Sequence, residues 1–89
     1  MTTYIVTFEV NDIGRKSKVY EKLKEFRYYC PIHENAWAIQ TDKKSTDIRD
    51  SITMVMAADD RIFVIRTGTE AAWLNAYSNE HTEWLKKYL

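Results

Sequence analysis

Residues 3–10 alternate between two sets of side chains. Tyr4, Val6, Phe8 and Val10 form an apolar set, and Thr3, Ile5, Thr7 and Glu9 a mixed one. A period of two, carried by β-branched and aromatic residues, predicts a strand. Its apolar face should meet helices, and its mixed face solvent, a partner or a ligand. Asn11-Asp12-Ile13-Gly14 has the composition of a turn, and Asn11 or Asp12 can cap the next helix. From Arg15 to Arg27 the period lengthens. Val19, Leu23 and Phe26 recur at helical spacing beside Tyr20, while Lys16, Lys18, Lys22, Lys24 and Glu25 take the outer side.

The stretch Tyr28 to His33 is strand-like but contains Pro31, which has no N–H to give to a ladder, so an edge strand is expected. Glu34-Asn35 turns the chain into a further strand from Ala36 to Thr41, closing a hairpin. Ser45 or Thr46 is expected to cap a second helix, with Asp47 in its first turn and a stripe of Ile48, Ile52, Val55 and Met56. After Asp59-Asp60, the run Arg61 to Thr67 reads as a fourth strand stopped by Gly68. A last helix from about Asn79 places His81, Trp84, Leu85 and Tyr88 on one face.

The order β-α-β-β-α-β with a C-terminal helical appendage predicts an α+β, ferredoxin-like domain spanning residues 1–89. Right-handed crossovers then lay both helices on one face of a four-stranded antiparallel sheet, with the first and third strands central. The other face is left for the C-terminal segment, a second subunit or a ligand. Trp73, Trp84 and Tyr88 are large for so short a chain and are expected at an interface. They would cover an edge or an open face, their own or a partner's.

Composition narrows the function. Apolar residues at 45% and charged residues at 29% are the balance of a folded chain rather than a disordered one. Thirteen basic and thirteen acidic residues cancel, so bulk charge gives no argument for nucleic acid. The local candidate for phosphate contacts is Arg15, Lys16 and Lys18, on a helix where Glu21 and Glu25 also stand. Cys30 is the sole cysteine, which excludes an intrachain disulfide and fits a cytoplasmic setting. No run has the length of a membrane span or the form of a signal peptide, so no membrane partner is expected.

Few residues offer chemistry. Glu9 and Asp12 flank the end of the first strand, and two carboxylates there could hold Mg²⁺ or Mn²⁺, which take oxygen ligands. A two-fold dimer could bring both copies onto one ion. The plainer reading is a strand-end acid and a helix cap. Cys30 and His33 resemble half a zinc site, but residues three apart on a strand point to opposite faces, so a buried thiol is preferred. His81 sits on an apolar stripe as a packing residue, and His33 at an exposed hairpin end. No Ser/His/Asp order and no Gly-rich phosphate loop occurs. The third strand, with Trp37, lacks the aromatic signature by which RRM sheets stack RNA bases, so Trp37 reads as core or interface.

The opening Tyr4-Ile5-Val6-Thr7-Phe8-Glu9-Val10-Asn11, the small hairpin and Asp59-Asp60-Arg61-Ile62-Phe63-Val64-Ile65 together resemble the small CRISPR-associated ferredoxin-like subunit. That family includes metal-dependent nucleases and the dimeric scaffold of the spacer-integration complex. Gly68-Thr69-Glu70-Ala71-Ala72-Trp73, followed by Glu83-Trp84-Leu85, is similar to a group of small bacterial and phage proteins loosely labelled SinR-like. The resemblance implies a homodimer and a noncatalytic nucleic-acid-linked or protein-interaction module of a defence system, phage or mobile element. Two alternatives stay open. One is a metal-dependent endonuclease with Glu9 as catalytic and metal-binding residue, assisted by Asp12. The other is a regulatory module with a small ligand at the dimer interface. The family's metal-binding aspartate ends the first strand, and Glu9, one methylene longer, stands there in this chain.

Overall fold

The computed structural model describes all 89 residues. Seven elements run in order along the chain: β1 (Thr2–Glu9), α1 (Ile13–Lys24), β2 (Tyr28–His33), β3 (Ala36–Thr41), α2 (Ser45–Thr53), β4 (Arg61–Arg66) and α3 (Asn79–Tyr88). The strands form one sheet in the order β2-β3-β1-β4, with every pairing antiparallel. This is the ferredoxin-like arrangement with a C-terminal helix. β1 and β3 are central, and β2, which contains Pro31, is an edge. No helix is long and apolar enough to cross a membrane.

The alternation of β1 sorts its side chains as its pattern predicts. Tyr4, Val6, Phe8 and Val10 join Trp37 and Ile39 of β3, Val19, Leu23 and Phe26 from α1 and its exit, and Ile48 and Ile52 of α2 in one core. Val6, Val19, Leu23, Ile39, Ile48 and Ile52 expose no surface. Burying each such side chain contributes about 1.5–3 kcal/mol. Trp37 is stacked between Tyr20 and Tyr29, with ring centroids 5.5 Å away on both sides. Trp37 is therefore core.

Helix boundaries differ from the sequence expectation where caps decide them. α1 begins at Ile13 rather than Arg15, because Asp12 Oδ1 accepts the Arg15 backbone N–H at 2.9 Å and supplies the N-cap. It ends at Lys24 rather than Arg27, where Glu25 and Phe26 donate to the carbonyls of Lys22 and Leu23 and tighten the last turn. The expected cap of α2 is corrected. Lys44 holds the extended N-cap position without a side-chain bond, and Ser45 is already helical, so neither Ser45 nor Thr46 caps. Val55 and Met56 lie beyond the end of α2 yet still pack against the core.

The second face of the sheet is divided. α3 lies on the β2–β3 half, where Leu85 meets Cys30 and Ala38, with Ile5, Ile32, Ala76, Trp84 and Leu89 packed around them. Ser78 caps α3 by accepting the His81 backbone N–H at 3.2 Å. The β1–β4 half carries no such cover. Phe63 is 64% exposed and Ile65 53%.

Candidate functional site

The uncovered half-sheet and its two ends hold the residues with functional potential. β4 pairs with β1 alone, so its outer edge has no strand partner. Cross-strand register puts Ile5 beside Ile65, Thr7 beside Phe63 and Glu9 beside Arg61. At one end, a cleft of about 500 Å³ runs between Ile5, Ile65 and Leu85 and the segment that carries Gly68, Glu70 and Trp73. Gly68 adopts φ 135°, a conformation that side chains rarely tolerate, so glycine suits the point where the chain leaves β4. At the other end, a cleft of about 540 Å³ brings Glu9, Lys16, His33, Asn35, Arg61 and Phe63 together.

The acids expected to bind metal are both engaged. Glu9 Oε1 accepts from Arg61 Nη1 at 2.7 Å, across the β1–β4 pairing. Asp12 caps α1 and lies 3.8 Å from Arg15 Nη1. No group of three or more His, Cys, Asp and Glu side chains is placed to share an ion. Both Glu9 and Arg61 are exposed, so their pair contributes at most about 1 kcal/mol.

The basic residues of α1 separate in the same way. Lys16 Nζ donates to Glu34 Oε1 at 2.7 Å. Lys16 holds the Glu34 carboxyl below the usual carboxylate range, chiefly through that hydrogen bond. Arg15 turns to Asp60, leaving Lys18 exposed and without an ion pair. The three do not form one free basic patch.

Asp60 is the residue that sequence reasoning missed. Its side chain has no solvent exposure, yet it carries a charge. Arg15 donates to it through Nε at 3.0 Å and Nη2 at 3.2 Å, and the Ala57 backbone N–H donates at 2.8 Å. The two-pronged contact ties the start of α1 to the turn before β4, 45 residues away in sequence. In the sequence Asp59-Asp60 reads only as a pattern break, and nothing there separates the exposed aspartate from the buried one.

The Arg15 hydrogen bond, followed by the Ala57 N–H, holds the Asp60 carboxyl below its ordinary value. A depressed carboxylate contributes stability above its unfolded pKa of about 3.9 and loses it as pH falls through the folded value. Asp60→Asn should therefore melt below wild type at pH 7, with the gap shrinking as pH falls below the unfolded pKa of about 3.9. Thermal melts of both proteins from pH 7 to pH 2 test this. A gap that persists unchanged in acid would contradict the assignment.

The interface aromatics also part company. Trp84 and Tyr88 lie 4.9 Å apart on α3, and Trp84 packs against the chain's own sheet. Trp73 borders the 500 Å³ cleft and stays 37% exposed. Cys30 is buried beneath α3, and burial pushes its thiol pKa up. His81 bonds Ser78 through Nδ1 at 2.7 Å, and His33 is exposed at the hairpin.

No protein-family model and no curated protein matches the chain. Among solved structures it is similar to the crystal structure of a hypothetical protein, TT1823, from Thermus thermophilus. The TM-score is 0.70 at 16% identity, over 82% of this chain and 89% of the other. At that identity the similarity establishes a shared fold, the four-stranded sheet with its two crossover helices.

Proposed function

We propose that this chain is a noncatalytic interaction module that works as a homodimer. On the pattern of the CRISPR-associated subunit it resembles, it would serve a nucleic-acid- or protein-linked assembly of a defence system, phage or mobile element. The observation that carries the reading is the uncovered β1–β4 half of the sheet beside an unpartnered β4 edge. Exposed Ile65, with Trp73 in the same cleft, offers an apolar centre. Its rim carries both signs of charge, in Arg66, Lys86 and Glu70. A two-fold interface must complement itself, which a mixed-sign rim around an apolar centre allows. Zero net charge also leaves no bulk repulsion between copies.

The endonuclease alternative draws no support from this geometry, because Glu9 holds Arg61 and Asp12 caps α1. The small-ligand alternative gains a cleft at each end of the open half-sheet.

Sedimentation equilibrium tests the dimer. The 10.6 kDa chain should sediment at twice its mass at micromolar concentration. Ile65→Glu should return it to a monomer, by at least about a tenfold rise in Kd, the size expected when an interface anchor is lost. Ile65 is exposed in the protomer, so the fold should survive. A wild-type chain that stays monomeric at high micromolar concentration would overturn the reading.

A further inference from the structure

The cleft of about 540 Å³ at the Glu9 end is complete within one protomer and combines the exposed phenyl ring of Phe63 with three basic side chains. We propose that it binds a mononucleotide, with the base against Phe63 and the phosphate among Lys16, His33 and Arg61. Its volume lies in the range of small-molecule sites, about 300–1,000 Å³. Phe63 lines it and is 64% exposed, outside the main core, so its ring is free to stack a base.

Each nitrogen group retains donors. Arg61 bonds Glu9 through Nη1 alone, leaving Nε and Nη2 for a phosphate. Lys16 gives one of its three N–H groups to Glu34. His33 Nδ1 accepts the Asn35 backbone N–H at 3.2 Å, so in the neutral ring the proton sits on Nε2, which is then a donor. The two competing carboxylates are 60% and 69% exposed, so a phosphate can replace them while they return to water.

The fold favours a single nucleotide over a strand. A strand needs successive stacking platforms and a continuous positive groove. Here Phe63 is the cleft's one exposed phenyl ring, His33 is assigned to the phosphate, α3 closes the neighbouring half of the sheet, and Arg15 is tied to Asp60.

The test is a titration of ¹⁵N-labelled protein with the four nucleoside 5′-monophosphates, inorganic phosphate and a short thymidine oligonucleotide. At least one monophosphate should produce saturable shifts at the amides of Thr7, Asn35 and Arg61. Phe63→Ala should weaken it about fivefold or more, the effect of losing one stacked base. Glu9→Gln should tighten it about two- to fivefold by releasing Arg61. Both side chains are exposed, and the same spectra report whether the fold persists. The Ile65→Glu variant should bind equally well, which separates this site from the homodimer reading. The proposal is overturned by no saturable shift with any monophosphate, by inorganic phosphate binding as tightly, or by binding of the oligonucleotide alone. It is equally overturned by an affinity that Phe63→Ala leaves unchanged or that Glu9→Gln lowers.

Discussion

Replacing Leu85 with alanine should open Cys30 to thiol reagents while the helix-face core stays folded. Leu85 is the buried anchor of α3, and it touches Cys30 and Ala38 in a cluster separate from the main core. The Cys30 Sγ lies 4.0 Å from the carbonyl of His81 on the same helix. In wild type the thiol is doubly protected. It is 3% exposed, and burial raises its pKa, which lowers the reactive thiolate fraction. Leu→Ala at a buried site costs about 2–5 kcal/mol. If that loss falls on the docking of α3, labelling should accelerate by about one to three orders of magnitude. Stopped-flow labelling with an aromatic disulfide reads the rate, and near-UV circular dichroism of the Trp37 stack reports the core. A Cys30 that stays as protected in Leu85→Ala as in wild type would show that α3 is not what covers it.

Trp37→Ala should be the most damaging single substitution. The indole is 6% exposed and is held from both sides by Tyr20 and Tyr29. It also bridges strands, opposite Val6 on β1 and Pro31 on β2. Trp→Ala in a core costs about 3–5 kcal/mol, and a domain of this size has only about 5–15 kcal/mol in total. The melting midpoint should fall by roughly 12 °C or more. Urea unfolding should show a lower midpoint with an unchanged slope, since the surface exposed on unfolding barely alters. A loss under about 1 kcal/mol would mean that the two tyrosines, rather than the indole, fill this layer. Because Trp37 lies in the core and away from the open half-sheet, the substitution tests the fold and not the interface.

The candidate site was legible only in part. Pairing Glu9 with Asp12 rested on their closeness in sequence. The fold assigns them different work, Glu9 to a cross-strand ion pair with Arg61 and Asp12 to a helix cap. Lys16 was visible as a basic residue, but its neighbours in the cleft come from the hairpin and β4. In the sequence Arg61 and Phe63 are simply strand residues. What makes them candidates is exposure, on a half-sheet that α3 stops short of covering.

Local sequence pattern settled the order of elements, the apolar face of β1 and the edge position of β2. These rest on local rules: a side-chain period of two or 3.6, and a proline that cannot donate to a ladder. The right-handed crossover rule then left one arrangement for the sheet. Tertiary structure decided what depends on distance between remote residues. It buried Asp60 against Arg15, placed Trp84 over the chain's own sheet, and left Phe63 and Ile65 in the open. Asp59 and Asp60 are the same residue in adjacent positions, yet one is exposed and the other has its side chain fully enclosed. Local pattern carries no term for a partner 45 residues away, so only the folded chain could tell them apart.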